Sequence, residues 1–427
     1  MEKLMRIAFI VNQFPTLSET FILNQITGLI ERGHEVDIFA DQVGNLDKLH
    51  PAVTQHNLMR RTYYLPKVPD NWLWRLLKGG SLFLQHWRQA PAKTLRSLNI
   101  FRYGKQAYSL WLLYTLWLDV KQPYDVIHCQ FGTQAYRGIC FRTINSPTSK
   151  LVTIFRGYDV SGFIRCKGKD VYRELFQVGD RFLANCEFFR QRAIQLGCPP
   201  EKISVHRSGL DCHKFTFAPR HPDPIGPIRI VTTGRLVEKK GIEYAIRAVA
   251  QVAQSYPNLE YRILGDGPLR EHLHRLIAEL QVESIVHLMG WQNEQEIIAT
   301  LNRSHLFVAP SVTATDGDQD APTNVLKEAM AMGLPVISTY HGGIPELVES
   351  GVSGYLVPER DVTLLAARLI DLIEQPYRWA AMGQAGRIRV ETDYNLHQLN
   401  NQLVNFYQEL VQPSDQTLLT TTRSYQL

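Results

Sequence analysis

Short apolar runs alternate with longer amphipathic stretches along most of the chain. In the first half, Arg6–Val11, Glu35–Ala40, Asp125–Cys129, Leu151–Phe155, Arg181–Asn185 and Ile203–Arg207 have the length and content of buried strands. The stretch after the first run predicts a helix. Phe21, Ile22, Ile26, Leu29 and Ile30 recur at helical spacing, Thr16 and Glu19 have the spacing of a capping box, and Gly33 supplies a stop. The alternation restarts beyond residue 228. Strands are expected at Ile228–Thr233, Glu260–Leu264, Val286–Met289, Leu306–Ala309 and Pro335–Ser338, with helices near 241–255, 268–281, 294–303, 323–332 and 361–374. Strands alternating with helices imply parallel sheets joined by right-handed crossovers.

Between the two series lies Ala218–Pro227, rich in proline and poor in apolar side chains, as a linker would be. The pattern therefore predicts an α/β chain of two Rossmann-like domains facing across a cleft. The boundaries are 1–217, a 218–227 linker, 228–384, a terminal helix over 385–411 expected to return to the first domain, and a polar 412–427 tail. On the terminal helix, Leu396, Leu399, Leu403, Phe406, Tyr407 and Leu410 share one face.

Composition supports this picture. A chain of 427 residues is too long for one ordinary core, and 44% apolar with 20% charged residues is the balance of a globular protein. The six cysteines (Cys129, Cys140, Cys166, Cys186, Cys198 and Cys212) form no CxxC pair and show no metal-ligand spacing. That predicts reduced thiols, a cytoplasmic setting and no structural metal. The run ending at Val11 lacks a small-residue cleavage site, and Ala107–Leu118 is shorter than the about 20 residues needed to span a bilayer.

Charge is uneven. Window 58–118 holds ten Lys or Arg against one acid, Asp70, a balance of 10 − 1 = +9, whereas the whole chain carries +5. Trp72, Trp74, Trp87, Trp111 and Trp117 lie in the same window. Basic residues interleaved with tryptophan suit an anionic membrane surface; the other reading is a helical insertion that packs its rings inward. No nucleic-acid motif accompanies the basic residues.

Chemistry is to be sought at the carboxyl ends of the strands, where open α/β sheets bind ligands. After the Ile228–Thr233 run, Arg235 and Lys240 straddle a turn into a helix, an arrangement suited to a diphosphate or to solvated loop charge. After Ala309 a polar loop leads to Asp320, Ala321, Pro322, Thr323, Asn324, Val325 and, eight residues beyond Asp320, Glu328. If helical throughout, the two carboxylates stand about 12 Å apart along the axis, the spacing of sugar and ribose in a nucleotide-sugar. Each carboxylate can accept from both members of a vicinal diol. Equally, Asp320 reads as a helix N-cap and Glu328 as a surface charge. A third loop, His341–Glu346, brings two glycines to the next strand end.

Together with Leu264–Pro268 and the run Gly333–Ser338, these segments resemble the family 4 retaining glycosyltransferases of GT-B fold. Gly342–Glu346 and Gly351–Val357 complete the resemblance, in that family's order over nearly all of 228–374. More loosely, Asn12–Ile22 resembles the exopolysaccharide branch typified by colanic acid synthesis. The resemblance implies a donor domain at 228–384 and an acceptor domain at 1–217. It implies a UDP- or GDP-sugar donor, a glycan or lipid-linked acceptor, and no metal or other cofactor. By position, Arg235 and Lys240 would bind the diphosphate, Asp320 the sugar hydroxyls and Glu328 the ribose. Gly267 and residues Ala321 to Val325 would line the donor. Ser18, Glu19, His128, Arg156 and Asp159 would serve the acceptor or the domain interface. Two positions depart from the family pattern: Asp320 replaces a glutamate, and Arg156 stands where a histidine is usual. A sugar-nucleotide epimerase, a phosphorylase-like enzyme or a non-catalytic scaffold of a polysaccharide assembly complex are the alternatives.

Overall fold

The structure, a computed structural model, describes residues 3–16, 19–46, 49–66, 68–116, 122–223 and 225–412. The first sheet contains β1 (Arg6–Phe14), β2 (Glu35–Val43), β3 (Thr62–Tyr64), β4 (Val126–Cys129), β5 (Lys150–Phe155), β6 (Arg181–Ala184) and β7 (Ile203–Val205). Their spatial order is β3-β2-β1-β4-β5-β6-β7, with every pairing parallel. The second contains β8 (Ile228–Thr233), β9 (Leu259–Leu264), β10 (Val286–Gly290), β11 (Leu306–Ala309), β12 (Val336–Thr339) and β13 (Gly354–Val357). Its order, β10-β9-β8-β11-β12-β13, repeats the same plan. Two Rossmann-like units thus share one chain.

The central strands β1, β4, β5 and β11 are buried on both faces, which is why they read as nearly continuous apolar runs, whereas β2 and β9 alternate buried and partly exposed positions. Along β1, Ile7, Phe9 and Val11 pack toward the Thr20–Glu31 helix and the C-terminal helix, while Ala8 and Ile10 pack toward Phe141 and Phe155 on the other face. Each such fully buried large side chain contributes roughly 1.5–3 kcal/mol.

Several elements differ from the sequence reading. The strands β3 and β13 were not anticipated: β3 is three partly exposed residues, and β13 opens on Gly354 in a stretch that reads as a glycine-containing loop. The terminal segment is two helices, Trp379–Asp393 and Leu396–Val411, not one. The break has a cause: the Leu210 amide donates to Tyr394 O (2.7 Å), Leu210 O accepts from the Leu396 amide (3.1 Å), and Asn395 caps the second helix. That second helix packs on the first domain through Leu403, Val404 and Tyr407. Arg32 ties it down through Asn401 Oδ1 (2.8 Å) and His397 O (3.0 Å). Leu210, Cys212 and Phe215 already pack with the second sheet, ahead of the proline-rich Ala218–Pro227 segment.

The capping box does not form. The helix starts at Thr20, and the Thr16 hydroxyl turns back to Gln13 O (3.2 Å) instead of meeting the Glu19 amide. Of the tail, all beyond Gln412 lies outside the described residues, as do Ser18, Trp117 and Leu118. All six cysteines are free thiols.

The basic window divides. Ala107, Leu112, Leu113 and Tyr114 are buried, but the Trp72–Gln89 helix buries only Gly79 and His86 and turns Leu73, Trp74, Leu77 and Leu84 outward. Among the described residues no helix is long and apolar enough to cross a membrane.

Candidate active site

In both sheets the order in which strands are added reverses between the first and fourth strands of the unit, at β1/β4 and β8/β11. Ligands of doubly wound sheets sit outside the carboxyl ends at such switch points. The loops there are 234–241 after β8 and 310–323 after β11, which carry Arg235, Lys240 and Asp320. Steric fit between the loops is tight. Gly241 has φ +60°, and a Cβ there would lie 2.0 Å from Pro310 O. A Cβ at Gly267 would lie 2.6 Å from Leu236 O, so that glycine lets the turn after β9 close on the Arg235 loop.

Lys240 Nζ pairs with Asp320 Oδ2 at 2.7 Å, and Lys239 Nζ bridges Asp318 Oδ2 (2.8 Å) and Asp320 Oδ1 (3.3 Å). Burial alone would push the Asp320 carboxyl up; the two ammonium groups outweigh it and hold the carboxyl well below the usual range. Asp320 is therefore a buried, ionised partner of the lysines. It is not the N-cap of the following helix, which runs Asn324–Ala331 with Thr323 at the cap. The uniform helical spacing between Asp320 and Glu328 accordingly fails, because residues 320–323 precede the helix.

The backbone of Asp320 is fixed from behind. Its amide donates to His341 Nε2 (2.9 Å), so the ring proton lies on Nδ1 and is donated to Glu359 Oε1 (2.6 Å). Glu359, just after β13, also accepts from the Thr313 amide (2.8 Å) and hydroxyl (3.1 Å). One carboxylate thus grips both ends of the β11 loop. Lys239, Thr313 and Glu359 went unrecognised in the sequence. The doubled lysine and the histidine heading a Gly-Gly loop were the available signals.

Arg235 is exposed, and its guanidinium makes no hydrogen bond or ion pair with the described residues. Its charge, with that of Arg156, draws down the carboxyl of Glu19, which burial nevertheless leaves raised. Glu19 of the first domain and Arg235 of the second are therefore near enough for their charges to interact. At the Asn324–Ala331 helix, the first-turn amides have no intrahelical acceptor, and the Thr323 hydroxyl is buried without a partner. Ala321 is partly buried beside the first domain's core, and Asn324 and Val325 are also partly exposed. Pro322 offers no N–H and sits against the Gly343 backbone.

Glu328 is half-buried, and its carboxylate has no hydrogen-bond partner among the described residues. Burial pushes it up to about 7, against the pull of Lys327. Lys327 itself is enclosed, donates to Ser208 O (2.6 Å), and is brought down to about 7 by burial.

On the first domain, Arg156 is committed internally. Its guanidinium donates to Gln130 O (3.3 Å), Gln130 Oε1 (3.1 Å) and Ser208 Oγ (3.0 Å) and lies 3.9 Å from the Phe21 ring centre. Burial lowers it to about 10. Asp159 accepts from the Gly132 (2.9 Å) and Arg156 (3.1 Å) amides, tying the loops after β4 and β5 together; burial raises it to about 7. His128 is wholly enclosed, with Nδ1 2.6 Å from the Tyr407 hydroxyl, so it joins the sheet to the C-terminal helix. The domains meet through Glu346, whose carboxylate accepts from the Glu187 (2.9 Å) and Phe188 (2.8 Å) amides and so caps a helix of the opposite domain.

Residues 227–375 match the family model described as glycosyl transferases group 1, and residues 18–214 the model described as glycosyltransferase family 4. Over 411 residues the chain is 37% identical to a Salmonella typhimurium protein named as a colanic acid biosynthesis glycosyltransferase, covering 95% of this chain and 100% of the relative. The chain belongs to the family 4 glycosyltransferases.

The transferase is equally 37% identical, over 95% of its own length and 100% of the relative's, to the amylovoran biosynthesis glycosyltransferase of Erwinia amylovora. Its fold matches Anabaena HepE in complex with UDP and glucose, with a TM-score of 0.68 at 19% identity over 94% of this chain and 99% of that one. Sucrose-phosphate synthase from Thermosynechococcus elongatus gives 0.69 at 18% identity over 95% and 99%. The architecture is GT-B: two Rossmann-like domains with a C-terminal helix returning to the first.

Proposed function

We propose that the transferase moves a hexosyl group from a UDP- or GDP-sugar to a glycan or lipid-linked acceptor, with retention of configuration, in exopolysaccharide assembly. We place it at the cytoplasmic face of a membrane. The names of the colanic acid and amylovoran relatives support the pathway, and the UDP-glucose complex of HepE supports the donor class. The observation that carries the reading is Arg235, an unpaired cation at the β8/β11 switch point near Glu19.

In this reading the bond from the anomeric carbon to the diphosphate oxygen breaks through an oxocarbenium-like state. The acceptor oxygen bonds to the same face, and its proton passes to the departing phosphate. Arg235 and Lys240 stabilise the charge on the diphosphate, and no resident metal or other cofactor is part of the scheme. Lys240 is held by Asp320 before the donor arrives. Sharing that lysine with the diphosphate frees an Asp320 oxygen for the sugar hydroxyls, while Glu328 accepts from the ribose diol. The amides of Ala321 and Asn324 to Val325 complete the cradle. Glu19 faces the acceptor, Arg156 and Asp159 hold the first domain's loops in place, and His128 fixes the C-terminal helix on the sheet.

A thermal-shift panel of UDP- and GDP-sugars identifies the donor, followed by an assay of nucleoside diphosphate release. Release that depends on acceptor supports transfer; turnover of the donor to an isomer without acceptor points to an epimerase. Deletion of the gene with polymer restored by Glu328→Ala would reduce the protein to a scaffold.

A further inference from the structure

Away from the cleft, the basic window and the end of the Ala135–Asn145 helix enclose a cavity of ≈ 370 Å3 lined by Arg96, Asn99, Arg102, Tyr103, Arg142, Thr143 and Pro147. Three guanidinium groups share it and no carboxylate lines it. Arg142 is already engaged, with Asp180 Oδ2 and Val178 O both at 2.9 Å. Arg96 and Arg102 are exposed, and their guanidinium groups form no hydrogen bond or ion pair with the described residues. The Thr143 hydroxyl is spent on Ile139 O (2.9 Å) and the Tyr103 ring centre lies 5.8 Å from the Arg102 guanidinium, so the free charge of the wall is on Arg96 and Arg102.

The rim is apolar. Leu95 and Ile100 are more than half exposed, and Phe101 is fully so. Such side chains gain nothing from water and would be covered by acyl chains, as would Leu73, Trp74 and Leu77 on the neighbouring Trp72–Gln89 helix. The place in the fold separates this cavity from donor chemistry. Arg142 lies in the last turn of the Ala135–Asn145 helix, and its partner Asp180 Oδ2 also accepts from the Leu151 amide at the start of β5. That is the amino end of the sheet, opposite the carboxyl ends that form the cleft.

We propose that this cavity seats the phosphate of an anionic phospholipid, with Arg96 and Arg102 as its ligands and Phe101 inserted beside it. The proposal rests on the reading above that the transferase works at a membrane surface, and it names the contact. Unpaired arginines beside exposed apolar side chains favour a lipid phosphate over a free one, since a dissolved ion would leave Ile100 and Phe101 in water.

The test is vesicle co-sedimentation of the full chain on phosphatidylcholine alone and on phosphatidylcholine mixed with phosphatidylglycerol. The wild type should bind the anionic vesicles only. An Arg96→Ala/Arg102→Ala variant should bind them more than about 30-fold more weakly, because roughly 1 kcal/mol per cation is what diffuse attraction alone gives near the surface and direct guanidinium–phosphate bonds add to it. Lys78→Ala/Arg88→Ala, which removes two exposed cations outside the cavity, should lose clearly less. Transfer to a water-soluble acceptor should be unchanged in both variants. Equal loss in the two double variants would overturn the seat and leave a diffuse attraction, with membrane binding intact. No binding of the wild type to either vesicle, or capture by a single-stranded polynucleotide in place of vesicles, would overturn the membrane reading itself.

Discussion

Glu328→Gln separates the cost of holding a carboxylate in the donor site from its use. In the native protein this carboxyl is raised from 4.5 to about 7, chiefly by burial. At ~1.36 kcal/mol per pKa unit, that difference corresponds to about 3 kcal/mol, an upper figure because the side chain is only half-buried. The sign follows from where the proton is held more tightly, which here is the native state. The stability tied to this group is complete below about pH 4.5 and is lost as pH rises through about 7. Glutamine carries no such penalty. Urea unfolding should therefore give matching stabilities for wild type and variant near pH 4.5, and above about pH 7 a variant more stable by up to about 3 kcal/mol. The same variant should bind donor worse. A hydrogen bond to a charged group is worth about 1.5–3 kcal/mol, so KM for the nucleotide-sugar should rise about ten- to hundredfold. A variant no more stable than wild type above neutrality would refute the burial argument, and unchanged donor kinetics would refute the ribose contact.

Arg235→Ala should lower kcat about 10²- to 10³-fold while leaving the thermal midpoint in place, because this guanidinium supports nothing else in the fold. Glu359→Gln puts an amide N–H against the Thr313 amide or the His341 Nδ1 proton. A stability loss of about 1–3 kcal/mol is expected, with a lower kcat/KM from the loosened Asp320 loop, both checked against a Glu359→Asp variant. Gly241→Ala forces a left-handed alanine into Pro310 O, which should cost more than the about 1–2 kcal/mol of the backbone conformation alone, read as a lower midpoint. Arg156→Lys cannot reach Gln130 and Ser208 together or stack on Phe21. It should destabilise the first domain by about 1–3 kcal/mol, measured by urea unfolding.

Local pattern made much of this protein legible. The apolar runs that became the middle of β1 and the whole of β11 are buried on both faces, so their hydrophobicity is written without gaps in the sequence. The order of strands and helices then implied parallel sheets, and the carboxyl-end rule pointed to the loops bearing Arg235, Lys240 and Asp320. What the chain alone could not show were relations between distant residues. The pairing of Lys239 and Lys240 with Asp320 spans some eighty positions, and the grip of Glu359 on Thr313 and Asp320 needs β11, β12 and β13 to lie side by side. The break at Tyr394 depends on Leu210 crossing there, and the capping box expected at Thr16 and Glu19 is lost because the Thr16 hydroxyl donates to Gln13 O. Periodicity reports which face of an element is buried; which charges meet is decided only when sheets bring remote loops to the same edge.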